Sequence, residues 1–105
     1  MDDVEKIEQI LLSFSDNKYR IMDSQDNICY YLKGVKAFTF NKKTHEVICK
    51  ERIYWSKRYN CLVSTTETNK LNSIEEIEQK IMSYKKDLKE AESYKRELEM
   101  EKDFK

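Results

Sequence analysis

Residues 73–105 read SIEEIEQKIMSYKKDLKEAESYKRELEMEKDFK, a charged run with no glycine or proline in it. Apolar or long side chains recur at Ile74, Ile77, Ile81, Tyr84, Leu88 and Ala91, three and four residues apart in alternation. That spacing is the a/d seam of one long helix; it weakens at Lys95 and resumes at Leu98. Ser73 and Glu76 form a capping box at its start, with Ser73 as N-cap and Glu76 at N3. A helix of about 33 residues spans roughly 50 Å, more than the diameter of a domain this small. The excess must project or meet another chain. Ile81, Tyr84, Leu88, Ala91 and Leu98 are therefore the expected self-association seam, and a homodimer is the expected assembly. Past Leu98 only Met100 and Phe104 are large and apolar, so this end should fray. Opposite charges stand four apart at Glu76–Lys80, Lys86–Glu90, Glu92–Arg96 and Lys95–Glu99. Each such pair contributes only about 0.2–0.5 kcal/mol. Burial of the seam has to carry the helix.

Upstream of the helix the pattern changes to strand. A short strand is expected over residues 18–23, then a polar turn at Ser24-Gln25-Asp26-Asn27. Residues 28–40 are rich in aromatic and branched side chains, interrupted by Gly34, the only glycine of the chain. Lys33-Gly34 is a tight hairpin or a bulge, and the hairpin is favoured. Asn41-Lys42-Lys43-Thr44 is a turn. Residues 45–55 alternate, with Val47, Cys49, Ile53 and Trp55 on one face. Residues 56–60 make a basic turn, 61–66 a last strand, and 67–72 a polar linker. The short links favour an antiparallel meander. At the N-terminus, residues 3–14 form a short amphipathic helix with Val4, Ile7, Ile10, Leu11 and Phe14 on one face, Asp2 or Asp3 as cap, and Ser15-Asp16-Asn17 ending it. The expected fold class is α+β: a short N-terminal helix, an antiparallel sheet of four or five strands, and a long C-terminal helix, all in one domain.

The 105 residues are 39% hydrophobic and 38% charged, which leaves room for one modest core. Net charge is zero but segregated. Residues 1–17 hold one lysine against five acids, residues 18–71 eleven cations against five acids, and residues 72–105 eight against ten. The plain explanation is acidic, solvated helices and strand lysines that block edge pairing. The sharper one is a basic sheet face for an anionic partner. One glycine and no proline exclude glycine-rich phosphate loops. No basic-then-apolar leader and no long apolar run is present, so a cytosolic protein with no membrane partner is expected.

Chemistry-bearing groups are sparse. Cys29, Cys49 and Cys61 read as reduced core thiols. With His45 they could make a Cys₃His zinc set, but no close CxxC pair exists. His45 and Cys49 would stand roughly 13 Å apart along a strand. No metal or other cofactor is expected. The thiols and His45 lack an orienting acid or oxyanion nest at a recognisable spacing, and Glu46 and Glu51 face opposite ways by parity. No catalytic residue is assigned. The segment Arg52-Ile53-Tyr54-Trp55-Ser56-Lys57-Arg58-Tyr59 interleaves cations with aromatics. Arg52, Tyr54, Lys57, Arg58 and Tyr59 are the candidate partner-binding residues, because Tyr and Arg dominate protein hot spots. The same pattern suits single-stranded nucleic acid, which stacks on rings and pairs with cations. Otherwise Ile53 and Trp55 are core and the rest is a hairpin tip.

In general character the chain is short, rich in Lys, Glu, Ile and Asn, and free of catalytic signatures. It resembles in composition the small accessory proteins of phages and mobile elements. The likeness covers no specific residue. It implies a non-enzymatic protein that binds a protein partner, as some such proteins inhibit host defence complexes, CRISPR nucleases among them. The alternative class is a nucleic-acid-binding module that uses the basic aromatic hairpin.

Overall fold

A computed structural model describes residues 4–15, 21–22 and 26–103. The fold is α+β. Helix α1 (Val4–Phe14) is followed by strands β1 (Ile21–Met22), β2 (Asn27–Leu32), β3 (Val35–Asn41), β4 (Val47–Lys50), β5 (Ile53–Ser56), β6 (Cys61–Ser64) and β7 (Thr68–Leu71), then helix α2 (Ile74–Asp103). Five strands form one antiparallel sheet in the order β1-β2-β3-β4-β7, and β5 and β6 form a separate two-stranded sheet. The expected positions of Asp2, Asp3, Asp16, Asn17, Ser24, Gln25 and Phe104 lie outside the described residues, as do residues 18–20 and 23 of the first expected strand.

Lys33 and Gly34, with φ of 51° and 83°, form the two-residue hairpin between β2 and β3. Two positive φ values are what such a turn needs to match the strand twist. Past the turn the β2–β3 register shifts between Tyr30 and Tyr31, and Ala37 is the residue left over. Asn41 builds the next turn. Its Oδ1 accepts the Lys43 and Thr44 N–H groups at 2.9 and 2.8 Å, and its Nδ2 donates to Asn27 Oδ1 at 2.8 Å. His45 closes that turn in the left-handed region, at φ 61°, rather than starting a strand, so β4 begins at Val47.

Two expectations are corrected. Residues 45–55 are not one straight strand: the chain bends at Glu51-Arg52. Residues 67–72 are not a linker, because Thr68–Leu71 pairs with β4. Both corrections have one cause. Lys50 pairs with Thr68 and Ile53 with Ser64. Two residues on one strand therefore face Thr65, Thr66 and Glu67 on the other. β4–β5 and β6–β7 are one long ribbon with one extra residue, a bulge that bends the distal half off the sheet. Arg52 and Thr65 stitch the bend, N–H to Oγ1 at 3.1 Å and N–H to carbonyl at 3.0 Å, and Glu51 N–H reaches Glu67 O at 3.1 Å. The meander thus runs only from β1 to β4.

One face of the large sheet carries Ile28, Tyr30, Phe38, Phe40, Val47, Cys49 and Leu71, all buried. Ile7 and Leu11 of α1 and Ile77 and Tyr84 of α2 cover it. Phe14, Phe38 and Tyr84 form an aromatic trio with ring centroids 5.4–5.9 Å apart. The Tyr84 hydroxyl meets two main-chain carbonyls, Ala37 O at 3.0 Å and Lys50 O at 2.5 Å. These belong to the bulge of β3 and to the end of β4. One phenol therefore serves two irregularities of the sheet that the ladder leaves open.

The expected cap of α2 is present: Ser73 Oγ accepts the Glu76 N–H at 3.2 Å. Glu76 reaches back to the Asn72 N–H at 2.6 Å, one residue earlier than the standard box. None of the four expected (i, i+4) pairs closes to 4.0 Å. Three of their members have other partners. Lys80 Nζ donates to the Glu51 carbonyl, Glu92 meets Lys33 at 3.6 Å, and Lys95 lies over the Trp55 ring at 5.0 Å. The long dimension of the molecule is 55 Å against 26 and 23 Å, as an overhanging helix requires.

Candidate functional site

The bent hairpin lies chiefly along α2, with β6 also touching β3 of the sheet. Its inward residues are Ile53, fully buried, and Trp55, half-buried. Asp87 fixes the contact, because its Oδ2 accepts the Ile53 N–H at 3.1 Å. The first residue of β5 would otherwise leave that donor unpaired as the chain turns off the sheet. Two cavities flank Trp55. One of about 150 Å³ is lined by Trp55, Leu62, Leu88 and Ala91, with Lys33, Glu92 and Lys95 at its rim. The other, of about 270 Å³, is lined by Arg52, Tyr54, Trp55, Asp87, Glu90, Ala91 and Tyr94. Ala91 belongs to both, and its small side chain is what lets the indole sit low against the helix. The indole Nε1–H is buried with no acceptor among the described residues.

The five expected partner-binding residues all lie on the accessible side of this unit. Tyr59 is 65% exposed and Tyr54 39% exposed. The Arg52 guanidinium lies 6.0 Å from the Tyr54 ring centroid, and that of Arg58 lies 5.4 Å from Tyr59. Each aromatic is therefore stacked with its neighbouring cation before any partner arrives. Ser56 Oγ accepts the Tyr59 N–H at 3.2 Å, and Asn60 adopts φ 53°, so the tip is a defined turn. Lys57 is exposed there. The structure separates the five into two groups. Arg52 and Tyr54 line the larger cavity, whereas Lys57, Arg58 and Tyr59 occupy the turn.

The expected self-association seam is mostly covered by the chain itself. Tyr84 and Ala91 are buried, and Ile81 and Leu88 pack partly buried against the core. Only Leu98, half-buried, lies farther along the helix. The sheet, α1 and the hairpin together supply the surface that the first half of the seam needed.

The cysteines are dispersed. Cys29 is buried and pairs with Thr39 Oγ1 at 3.9 Å, while Cys49 is buried on the core face. Cys61 is exposed at the start of β6, so the reading of all three as core thiols is corrected for that one. Burial pushes the Cys49 thiol above its ordinary 9.0 and the Tyr84 hydroxyl far above its ordinary 10.0. Neither is an activated nucleophile at neutral pH. Glu67 is raised above 4.5 because its carboxyl hydrogen-bonds with that of Glu51 at the bulge and feels its charge. Among the described residues, no three His, Cys, Asp or Glu side chains cluster as a metal ion would require. No helix among them is long and apolar enough to cross a membrane.

Sequence reasoning missed Asp87, Glu90 and Tyr94. They stand off the seam, where charged and polar groups read as a solvated helix face. The spacing of 87, 90 and 94 was the available signal, since positions three and four apart share a face. No protein-family model, no curated protein and no solved structure matches the chain.

Proposed function

We propose that the chain is a non-enzymatic binding protein whose partner is another protein, met by the β5–β6 hairpin and the adjoining stretch of α2. The observation that carries this reading is the composition of the larger cavity and its surroundings. Exposed Tyr54, Tyr59 and Tyr94 stand beside both cations, Arg52 and Arg58, and acids, Asp87 and Glu90. Aromatic and arginine side chains anchor protein interfaces. Mixed charge suits a protein surface, whereas the two carboxylates oppose the phosphates of a nucleic acid. An inhibitory role of the kind that composition implies needs only such a surface. Past the covered part of the seam, Leu98 and its exposed neighbours are what remains for a second copy of the chain.

Two measurements test the proposal. In affinity capture from the native cell, the wild-type chain should retain one protein partner, and the double variant Lys57→Glu with Arg58→Glu should lose it while keeping its fold. Fluorescence anisotropy with single-stranded DNA and RNA should show only weak binding at ~0.15 M salt. Submicromolar nucleic-acid binding that disappears in the double variant would replace this reading with the nucleic-acid alternative. Light scattering at high protein concentration separately decides the homodimer, which a clean monomer mass would exclude.

A further inference from the structure

The cavity between β5 and α2 has a chemistry of its own. Tyr54, Trp55 and Tyr94 line it, and so do the carboxylates of Asp87 and Glu90. Aromatic faces carry negative potential, and a cation seated over them is attracted, most strongly over indole. Rings and carboxylates in one pocket therefore favour the same ligand. The lining holds one cation, Arg52, and two acids, so its formal charge is negative.

Three further observations fit a cationic occupant. Glu90 has no ion pair among the described residues, and its expected partner Lys86 does not reach it. Its carboxylate is therefore open to an incoming donor. Tyr54 and Trp55 already hold cations in cis, Arg52 at 6.0 Å and Lys95 at 5.0 Å, so an incoming cation meets the remaining ring, Tyr94, beside Glu90. The volume, about 270 Å³, also suits. A cavity of about 150 Å³ takes one benzene-sized group, so this one takes a planar head with part of its stem. A guanidinium answers all these features. It is flat, stacks on rings and pairs with a carboxylate through a fork of N–H groups.

We infer that the pocket lined by Tyr54, Trp55, Tyr94, Asp87 and Glu90 is a receptor for an arginine side chain of the partner. This deepens the protein-binding reading and rests on it for the partner. The receptor itself can be tested with no partner present. Asp87 ties the pocket to β5 through the Ile53 N–H, Glu90 supplies the open carboxylate, and Tyr94 supplies the third ring.

The probe is N-acetyl-arginine methylamide, with the uncharged citrulline analogue of the same shape as control. Trp55 is the only tryptophan, so its indole N–H cross-peak is a single unambiguous signal from the pocket wall, and the Glu90 and Tyr94 variants assign its shift to this cavity rather than its neighbour. The arginine probe should shift that signal saturably, with a dissociation constant on the order of 1 mM, as expected of a single side chain. The citrulline probe should bind about tenfold more weakly. Glu90→Gln and Tyr94→Leu should each weaken the arginine probe severalfold, and both positions are exposed enough for the fold to survive. Lys57→Glu with Arg58→Glu, at the turn, should leave it unchanged. A flat titration into the tens of millimolar would overturn the inference, and so would equal binding of both probes or indifference to Glu90→Gln. If the probe fails while the turn variant still loses the captured partner, the receptor falls and the protein-binding reading stands. If the probe binds and no partner is captured, the reverse holds.

Discussion

Replacing Tyr84 with phenylalanine tests the packing argument at its centre. The ring is fully buried, and its stacking against Phe14 and its edge contact with Phe38 survive the change. Only the hydroxyl is lost. Two carbonyls, Ala37 O and Lys50 O, then lose the donor they share at 3.0 and 2.5 Å. Stranding a buried polar group costs about 1–3 kcal/mol. Carbonyls retain some tolerance because each keeps a second lone pair, so we place the loss at about 2 kcal/mol. A domain of this size loses about 4–8 °C per kcal/mol, which gives a fall in Tm of about 8–16 °C. Tyr84→Ala also empties the space of the ring and should cost about 3–5 kcal/mol, much of the total for a small domain. Thermal melts by circular dichroism, with urea midpoints alongside, supply both numbers. If Tyr84→Phe melts within about 2 °C of the wild type, the hydroxyl does not hold the two irregularities of the sheet, and helix docking rests on apolar contact alone.

Gly34→Ala should cost about 1 kcal/mol in urea unfolding. A Cβ there meets nothing within 4 Å, so the whole effect comes from φ 83°, and a neutral result would contradict the turn assignment. Asp87→Ala removes the acceptor of the Ile53 N–H. Amide exchange at Ile53 should accelerate and Trp55 fluorescence shift to the red, and unchanged exchange would show that the hairpin is held otherwise. Stability should fall as pH rises above ~9. The Cys49 and Tyr84 protons are retained in the fold at pH values where the unfolded chain loses them. The folded state then binds more protons, and the slope of stability against pH is negative. Urea midpoints across that range measure it, with a smaller slope expected for Tyr84→Phe.

Local signals in the sequence transferred well to the fold, and remote ones did not. Ser73 and Glu76 marked the start of α2 because a cap involves residues three apart. Lys33-Gly34 marked a hairpin because backbone sterics act on single residues. The face shared by Val47, Cys49, Ile53 and Trp55 also held, since the bend at Glu51-Arg52 adds its extra residue to the opposite strand. Thr68–Leu71 was illegible as a strand. Only Leu71 of its four residues is buried, so no alternation appears in an edge strand whose other side chains all face water. Asp87 was illegible for another reason: its partner, Ile53, is 34 positions away in the chain. The proposed binding face was half visible. The hairpin side, Arg52 to Tyr59, announced itself by interleaved cations and rings. The helix side, Glu90 and Tyr94, differs from an ordinary solvated surface only by what folding places opposite it.

The groove owes its existence to a count of residues as much as to their kinds. Thr66 is exposed, and it is the extra residue between the paired positions Lys50–Thr68 and Ile53–Ser64. Point substitutions at Thr66 should pass almost unnoticed. Deleting it would straighten the ribbon, because two residues on each strand would then join the pairs Lys50–Thr68 and Ile53–Ser64. Leu62 would keep its place opposite Trp55, but Ile53, carried off α2 with the straightened ribbon, would lie too far from Asp87 for its hydrogen bond. Ordinary mutational drift at this position is therefore silent, whereas a single codon lost from the reading frame would abolish the cleft with every residue that lines it still encoded.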